Sequence, residues 1–152
     1  DVAPSRGLGD VYKRQDQNCA YCMEGELVAK FGIKICELET SKVYLFKEQS
    51  HPGRCIVAHK KHVGDMNELT AEERAAYFED VARVARAIMA AFHPDKVNYG
   101  AYGDTGHHLH FHLCPKYKDE FEWGGVFLMN PDKKYLSDEE YADMIEKIKA
   151  NL

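Results

Sequence analysis

The stretch Gly106-His107-His108-Leu109-His110-Phe111-His112-Leu113-Cys114-Pro115 places three histidines at every second position. On an extended backbone, successive side chains point to opposite faces, so His108, His110 and His112 share one face. The apolar residues between them share the other face, which suits a hydrophobic core. The stretch therefore predicts a strand with a row of imidazoles on one side, and the rest of the chain is organised around it.

The row of imidazoles has a chemical meaning. Histidine is the side chain whose unperturbed pKa lies near neutrality, so three in a row suit metal binding, proton transfer or nucleophilic attack. A lone buried histidine usually makes a hydrogen bond and does no chemistry, and a purification tag is a contiguous run at a terminus. These histidines are internal and alternate with core-type residues. The pattern indicates a functional site.

Length and composition limit the class of protein. A chain of 152 residues with 45% hydrophobic and 30% charged residues is typical of one globular domain. The formal net charge of -5 disfavours broad nucleic-acid binding. No apolar run approaches the roughly 20 residues that span a bilayer, and no signal-peptide pattern opens the chain. We expect a cytoplasmic protein without a nucleic-acid or membrane partner.

Runs of β-branched and aromatic residues, separated by turn-prone residues, predict an antiparallel meander over residues 33–38, 43–46 and 55–59. Residues 96–102 predict a further strand before the histidine stretch. Strands and helices segregate along the chain and do not alternate. The sequence therefore predicts an α+β fold with a mainly antiparallel sheet, one long helix and a C-terminal helix.

Two helices carry clear start signals. Thr70 and Glu73 form a capping box at the start of a helix that runs to His93, where Pro94 ends it. A second capping box, Ser137 with Glu140, opens the C-terminal helix. The apolar stripe predicted to cover the sheet comprises Phe78, Val81, Ala82, Ala85, Ile88, Met89 and Phe92. In the last helix, Tyr141, Met144, Ile145 and Ile148 are predicted to face inward.

The beginning of the chain differs from the rest. Residues 1–17 carry mixed charges, Pro4 and two glycines, and they show no period. We expect them to be a disordered or non-native tail, followed by a single domain over residues 18–152.

Five cysteines are present, and two of them form Cys19-Ala20-Tyr21-Cys22. In a chain without an export signal, this spacing indicates a metal or redox pair more than a structural disulfide. Structural zinc takes four tetrahedral ligands, so two further ligands would come from elsewhere. The remaining cysteines lie in apolar runs and are expected in the core: Cys36, Cys55 and Cys114.

The motif His108-Leu109-His110-Phe111-His112-Leu113-Cys114 resembles the signature of the histidine-triad family, whose members are nucleotidyl hydrolases and transferases. The resemblance follows the order of elements over residues 18–129. It implies the α+β histidine-triad fold, a homodimer, and His110 as the nucleophile that attacks the α-phosphate of a nucleotide, with His112 facing the same phosphate. A covalent intermediate on a neutral imidazole divides one hard displacement into two easier ones.

The resemblance also implies a structural zinc. Zinc-binding branches of the family, and the related galactose-1-phosphate uridylyltransferases, use a cysteine pair, a histidine after the third strand and the first triad histidine. His59 and His51 lie close enough in sequence to compete with the implied third ligand. The implied ligands are Cys19, Cys22, His62 and His108.

Asn98 and the turn at 103–106 resemble the family's asparagine and Gly-Gln-Ser stretch, which bind the phosphate and the leaving group. Thr105 can replace the serine hydroxyl. Asp104 departs from glutamine, and a carboxylate repels phosphate, so it points away, is protonated in the complex, or meets a different leaving group. An ordinary turn is the alternative.

Arg54 stands where many family members have a histidine beside the active site. Arginine binds phosphate bidentately, so Arg54 is either a phosphate clamp or a residue on the surface of a strand. The family's acidic residue for the ribose hydroxyls has no obvious counterpart, and Glu48 is a candidate. The sequence does not predict which base is bound.

The predicted function is a nucleotidyl hydrolase or transferase that acts through a covalent nucleotidyl-His110 intermediate. Phosphoramidates, dinucleoside polyphosphates and nucleotide-linked metabolites all remain candidate substrates. One alternative is a zinc-stabilised nucleotide-binding module without significant turnover. Another is a metalloenzyme whose histidine row binds a catalytic metal, although such sites usually add a carboxylate ligand that this strand lacks.

Overall fold

The computed structural model describes residues 16–152, so the predicted tail at 1–17 lies outside the described residues except for its last two positions. The described helices are α1 Ala20–Met23, α2 Gly25–Ala29, α3 Ala71–Phe92 and α4 Asp138–Ala150. The strands are β1 Gly32–Glu37, β2 Ser41–Phe46, β3 Cys55–His59, β4 Lys96–Gly100 and β5 His110–Lys116. A short 3₁₀ helix covers Met66–Glu68. Among these elements, no helix is both long and apolar enough to cross a membrane.

The five strands form one sheet in the order β1-β2-β3-β5-β4, and every neighbouring pair is antiparallel. The predicted meander is confirmed as β1, β2 and β3. The histidine strand β5 lies between β3 and β4, so it has a hydrogen-bonded strand on each side. The α+β prediction with a long helix and a C-terminal helix is confirmed.

Helix α3 begins and ends where the sequence predicts. The Thr70 hydroxyl accepts from the Glu73 amide, the Glu73 carboxylate accepts from the Thr70 amide, and His93 ends the helix in the left-handed conformation. The helix packs on one face of the sheet, where its Val81 and Ile88 join Val57 of β3 and other residues in the main core.

The predicted stripe of α3 is wrong at two of its large positions, because Phe78 and Met89 are 40% and 42% exposed. The buried stripe is rotated toward Tyr77, Val84 and Ala87. Tyr77 donates its hydroxyl to the Val57 carbonyl at 2.7 Å. Asp80 accepts hydrogen bonds from Thr40 and Ser41. These polar contacts, which a count of apolar residues does not include, set the rotation of the helix.

The C-terminal helix α4 confirms its predicted cap, because Ser137 and Glu140 make both bonds of the capping box. Tyr141 and Ile148 are buried in the main core, and the Tyr141 hydroxyl donates to the Lys47 carbonyl at 2.7 Å. Met144 and Ile145 pack against the same core from partly buried positions.

A smaller core covers the opposite face of the sheet. Tyr21 of α1 and Val28 of α2 pack there on Tyr44, Phe46 and Ile56. This is the face that carries the histidine row, so the N-terminal helices lie beside the candidate site.

Candidate functional site

The histidine row occupies one face of the sheet, as predicted. Strand β5 begins at His110, but the backbone stays extended before it, because Leu109 donates to the Val63 carbonyl and accepts from the His59 amide. Leu109 and Leu113 are buried in the main core, whereas the triad histidines line a cavity on the other face. The two-residue period therefore places the core residues on one face of the sheet and the site residues on the other.

The cavity has a volume of about 850 Å³. The turn at 103–106 forms one side of it, and Phe46 and Phe127 contribute an apolar wall. The three triad histidines all line this cavity. A cavity of this size with apolar walls and a few convergent polar groups is typical of a small-molecule site.

The hydrogen bonds of His110 fix its tautomer. Its Nδ1 lies 2.6 Å from the His108 carbonyl, and since a carbonyl can only accept, Nδ1 carries the proton and Nε2 carries the lone pair. Burial lowers the pKa of His110 below its usual value, which keeps the ring neutral. The Tyr21 ring packs against His110 with 4.9 Å between the ring centroids. His110 thus presents the neutral imidazole lone pair that nucleophilic attack needs.

Four candidate metal ligands come together at one end of the row, namely Cys19, Cys22, His62 and His108. The His108 Nδ1 lies 3.3 Å from the Cys19 Sγ and 3.1 Å from the His62 Nδ1. The Cys22 Sγ lies 3.3 Å from the His62 Nδ1. Tetrahedral zinc with the usual bond lengths places its ligand atoms about 3.3 to 3.8 Å apart. The cluster is therefore compatible with such a metal ion.

The second nitrogen of His108 supports this reading. Its Nε2 lies 2.6 Å from the His59 carbonyl, so Nε2 carries the proton and the Nδ1 lone pair faces the two sulfur atoms. Burial lowers the pKa of His108 to about 4, which keeps the ring in the neutral form that ligates metals. Backbone contacts outside the cluster thus prepare His108 as a ligand.

The competing histidines lie elsewhere. His59 accepts from the Lys61 amide at its Nδ1 and packs on Tyr77. The His51 Nε2 lies 2.7 Å from the Glu122 carboxylate. The structure thus brings His62, and neither of these two, to the cysteine pair.

The structure places the remaining residues that the sequence singles out in different locations around the histidine row. Asp104 and Thr105 line the cavity at its exposed rim. Asn98 lies in a separate cleft of about 260 Å³ beside Lys96 and Lys116. Glu48 is buried and accepts hydrogen bonds from Ser50 and from the backbone amides of residues 133 and 134, which anchors the C-terminal segment. These contacts are local and give Glu48 no place in the cavity wall.

Arg54 is fully buried, so the prediction of a surface position on a strand is wrong. Its guanidinium lies 4.1 Å from the centre of the Phe46 ring and contacts Phe127 on another side. Its Nη2 donates to the His112 Nδ1 at 3.1 Å. Among residues 16–152, Arg54 is not part of the cavity wall and lies behind His112. Its predicted role as a phosphate clamp remains a prediction.

Sequence reasoning missed the aromatic wall. Tyr21 contacts the rings of both His108 and His110, and the signal for it is its place inside the cysteine pair. A single helical turn therefore supplies the two thiols and the ring beside the nucleophile. Phe127 belongs to a short apolar run at 126–129 that has no period, so nothing in the sequence assigned it a partner.

Comparison with known proteins supports this description. The HIT domain family matches residues 32–119. "Protein hit" of Bacillus subtilis is 28% identical over 123 residues, which cover 76% of this chain and 83% of that protein. "Adenosine 5'-monophosphoramidase hnt1" of Schizosaccharomyces pombe is 26% identical over 116 residues, with 70% and 80% coverage.

Solved structures show the same fold. A histidine triad protein from Sinorhizobium meliloti superposes with a TM-score of 0.77 at 23% identity, over 84% of this chain and 95% of that one. A zinc-bound histidine triad family protein from Mycobacterium smegmatis gives a TM-score of 0.62 at 22% identity, with 88% and 91% coverage. With the family match extending over more than half of its length, this chain belongs to the HIT family.

Proposed function

We propose that this protein is a nucleotidyl hydrolase or transferase in which His110 attacks the α-phosphate of a nucleotide conjugate. The observation that carries the proposal is the hydrogen bond from the His110 Nδ1 to the His108 carbonyl, which leaves the Nε2 lone pair on a neutral ring in the cavity wall. The name of the Schizosaccharomyces pombe relative, a monophosphoramidase, supports the same reaction class.

The chemistry proceeds in two displacements. The Nε2 lone pair of His110 forms a bond to the α-phosphorus, and the bond from phosphorus to the leaving group breaks with its electron pair on the leaving group. The positive charge that develops on the ring is stabilised by the His108 carbonyl, which accepts the Nδ1 proton in a hydrogen bond. Water or another acceptor then attacks phosphorus, and the nitrogen–phosphorus bond breaks with its electron pair returning to the His110 Nε2. The proton that the acceptor loses passes to the solvent, which also supplies the proton that the leaving group takes up.

The cavity gives each part of the substrate a surface. Phe46 and Phe127 offer an apolar wall for the base, and His112 faces the phosphate beside His110. Asp104 and Thr105 lie at the exposed rim, where the leaving group would depart. A carboxylate at this rim disfavours a leaving group with more negative charge, and it favours a neutral or cationic one.

The experiment that tests the function is an intact-mass measurement. The protein is mixed at neutral pH, without acid quench, with adenylyl and uridylyl donors, including a nucleoside 5'-phosphoramidate. We expect a nucleotide-sized gain in mass together with release of nucleoside monophosphate. If nucleotide binds but no donor is consumed and no mass is gained, the protein is a nucleotide-binding module.

We also propose that the cluster of Cys19, Cys22, His62 and His108 holds a structural zinc ion. Four protein ligands complete a tetrahedral shell, so the ion would fix the fold and would not generate a hydroxide nucleophile. The zinc-bound Mycobacterium smegmatis structure supports this choice of metal. We place the protein in the cytoplasm, where reducing conditions keep the two thiols available as ligands.

We further propose a homodimer in which a second copy covers β4 and the adjoining face of α3. Strand β4 is an edge of the described sheet, its exposed Tyr99 lies beside the exposed Met89 of α3, and Phe78 is exposed on the same helix. We expect light scattering to give twice the 17.4 kDa of one chain. Met89→Lys should lower this mass to that of a monomer, and Glu72→Lys, at the exposed first turn of α3, should not. A monomeric parent at micromolar concentration would contradict the proposal.

A further inference from the structure

Among the residues that the structure describes, Arg54 is a buried cation without a carboxylate partner. Within residues 16–152, no carboxylate lies within ion-pair distance of its guanidinium, although arginine is rarely buried without one. Its Nε is buried and makes no hydrogen bond in this part of the chain. Burial of an unpaired charge is costly. Arg54 is therefore a poor choice for stability alone.

What holds the guanidinium is a set of neutral groups. Its Nη1 donates to the Leu128 carbonyl at 3.2 Å, and its Nη2 donates to the Met129 carbonyl at 3.0 Å. The rings of Phe46 and Phe127 contact its faces. These contacts fix the side chain so that the Nη2 also reaches the His112 Nδ1.

This contact determines the tautomer of His112. A guanidinium has only donors, so the His112 Nδ1 must be the acceptor and carries no proton. The proton of the neutral ring therefore stays on Nε2. The Nε2 makes no hydrogen bond within the described chain, and the ring lines the cavity, so this N–H is available to a ligand.

The other described neighbours of His112 do not raise its pKa, so they do not offset the lowering by Arg54. His110 of the same strand is the second titratable ring, at 5.2 Å between centroids. Strand β2 contributes Phe46, the segment after residue 125 contributes Phe127, and β4 places Gly100 opposite. Burial, then Arg54 and then His110 lower the pKa of His112 to about 2.

We propose that Arg54 is a positioning residue that locks His112 as a permanently neutral Nε2–H donor to the phosphate. The inference rests on the proposed function of the site. In this role the Arg54 charge does not touch the substrate, in contrast to a phosphate clamp. His112 then gives a hydrogen bond to a phosphate oxygen and transfers no net proton, and its ring stays neutral over the whole working range of pH.

The first test needs no activity and no variant. Nitrogen-15 NMR of the histidine rings in the folded protein is expected to show His112 protonated at Nε2 and untitrated from pH 8 to pH 5. A proton on the His112 Nδ1 would overturn the proposal. Because this readout is independent of turnover, it separates failure of the inference from failure of the proposed function.

The second test uses Arg54→Met, which removes the donor and the charge. We expect the pKa of His112 to rise by at least one unit and turnover at pH 8 to fall about tenfold, because the ring loses its fixed orientation and tautomer. As the pH falls, the His112 ring of the Arg54→Met variant becomes doubly protonated, so its Nε2 again carries a proton that can be donated to the phosphate. The ratio of variant to parent turnover should therefore rise toward low pH. Arg54→Lys, which keeps a cationic donor, should restore part of the turnover and the low pKa.

Lys116 offers a matched control. It is also a buried cation, and its Nζ donates to the carbonyls of Glu122 and Gly125, away from His112. Lys116→Met should lower stability but leave the His112 signal and the shape of the pH profile unchanged. The proposal is wrong if folded Arg54→Met shows an unchanged His112 pKa, or if Lys116→Met reproduces its pH profile. If Arg54→Met does not fold, an Arg54→Lys variant with Nδ1-protonated His112 and parental turnover refutes it.

Discussion

Replacement of His110 with alanine is expected to lower turnover by at least about a thousandfold and to abolish the nucleotide-sized gain in mass. The variant lacks the only atom proposed to bond to phosphorus, the Nε2 lone pair that the His108 carbonyl leaves exposed. Nucleotide binding should persist, because the apolar wall and His112 remain in place. The measurement is steady-state hydrolysis beside intact mass, with circular dichroism to confirm folding.

A histidine outside the site provides the control for this experiment. His93 ends α3 in the left-handed conformation, and asparagine tolerates that conformation. His93→Asn should therefore keep both the turnover and the mass gain of the parent. Retention of a covalent nucleotide in His110→Ala would show that another residue is the nucleophile. Loss of nucleotide binding in the same variant would show that His110 acts mainly in binding.

Replacement of Cys22 with serine is expected to lower the midpoint of thermal unfolding by about 10 °C or more. The thiol belongs to a cluster that joins α1, the segment after β3 and the start of the histidine row. Loss of one ligand would release the metal, and the three segments would no longer be held together by the cluster. A strong chelator should lower the parent's midpoint toward that of Cys22→Ser, and it should leave the variant unchanged. Elemental analysis should give one zinc per chain in the parent.

Cys36→Ser is the matched control, because Cys36 is a partly buried cysteine that lies outside the cluster. Its midpoint should change by a few degrees and should still respond to the chelator. A parent midpoint that does not respond to chelation would argue against a structural metal. Where the chelated protein is still folded, labelling of His110 should continue within a few-fold. Complete loss of labelling in that folded protein would favour a catalytic metal.

Local sequence signals predicted much of the fold. The capping boxes of Thr70 and Ser137 located both main helices, because a cap is made by residues three positions apart. The alternation around His110 assigned core and site faces, because that period is a property of the extended backbone. The rotation of α3 was not predicted, since Tyr77 and Asp80 face inward through hydrogen bonds to distant residues.

The environment of single residues was harder to predict. The burial of Arg54 depends on the rings of Phe46 and Phe127, which lie far apart in sequence. Asn98 lies one cleft away from the histidines, although β4 is a direct neighbour of their strand. The sequence showed only that Tyr21 lies between Cys19 and Cys22, and it gave no indication of the ring contacts that Tyr21 makes. In each case the deciding contact joins segments that no local pattern connects.

The position of β5 has a consequence for folding. It is the last described strand in the sequence, yet it lies between β3 and β4, and among residues 16–152 β4 has no other partner in the sheet. A chain emerging from the ribosome cannot pair β4 within this sheet until the histidine strand has been synthesised, and the β4–β5 pair joins the other strands only when β5 pairs with β3. The pairing of β5 with β3 is non-local, so it is slow and carries the entropy cost of closing a long loop. Closure of the sheet and assembly of the histidine row are thus one event, and a fragment that stops before residue 110 has neither.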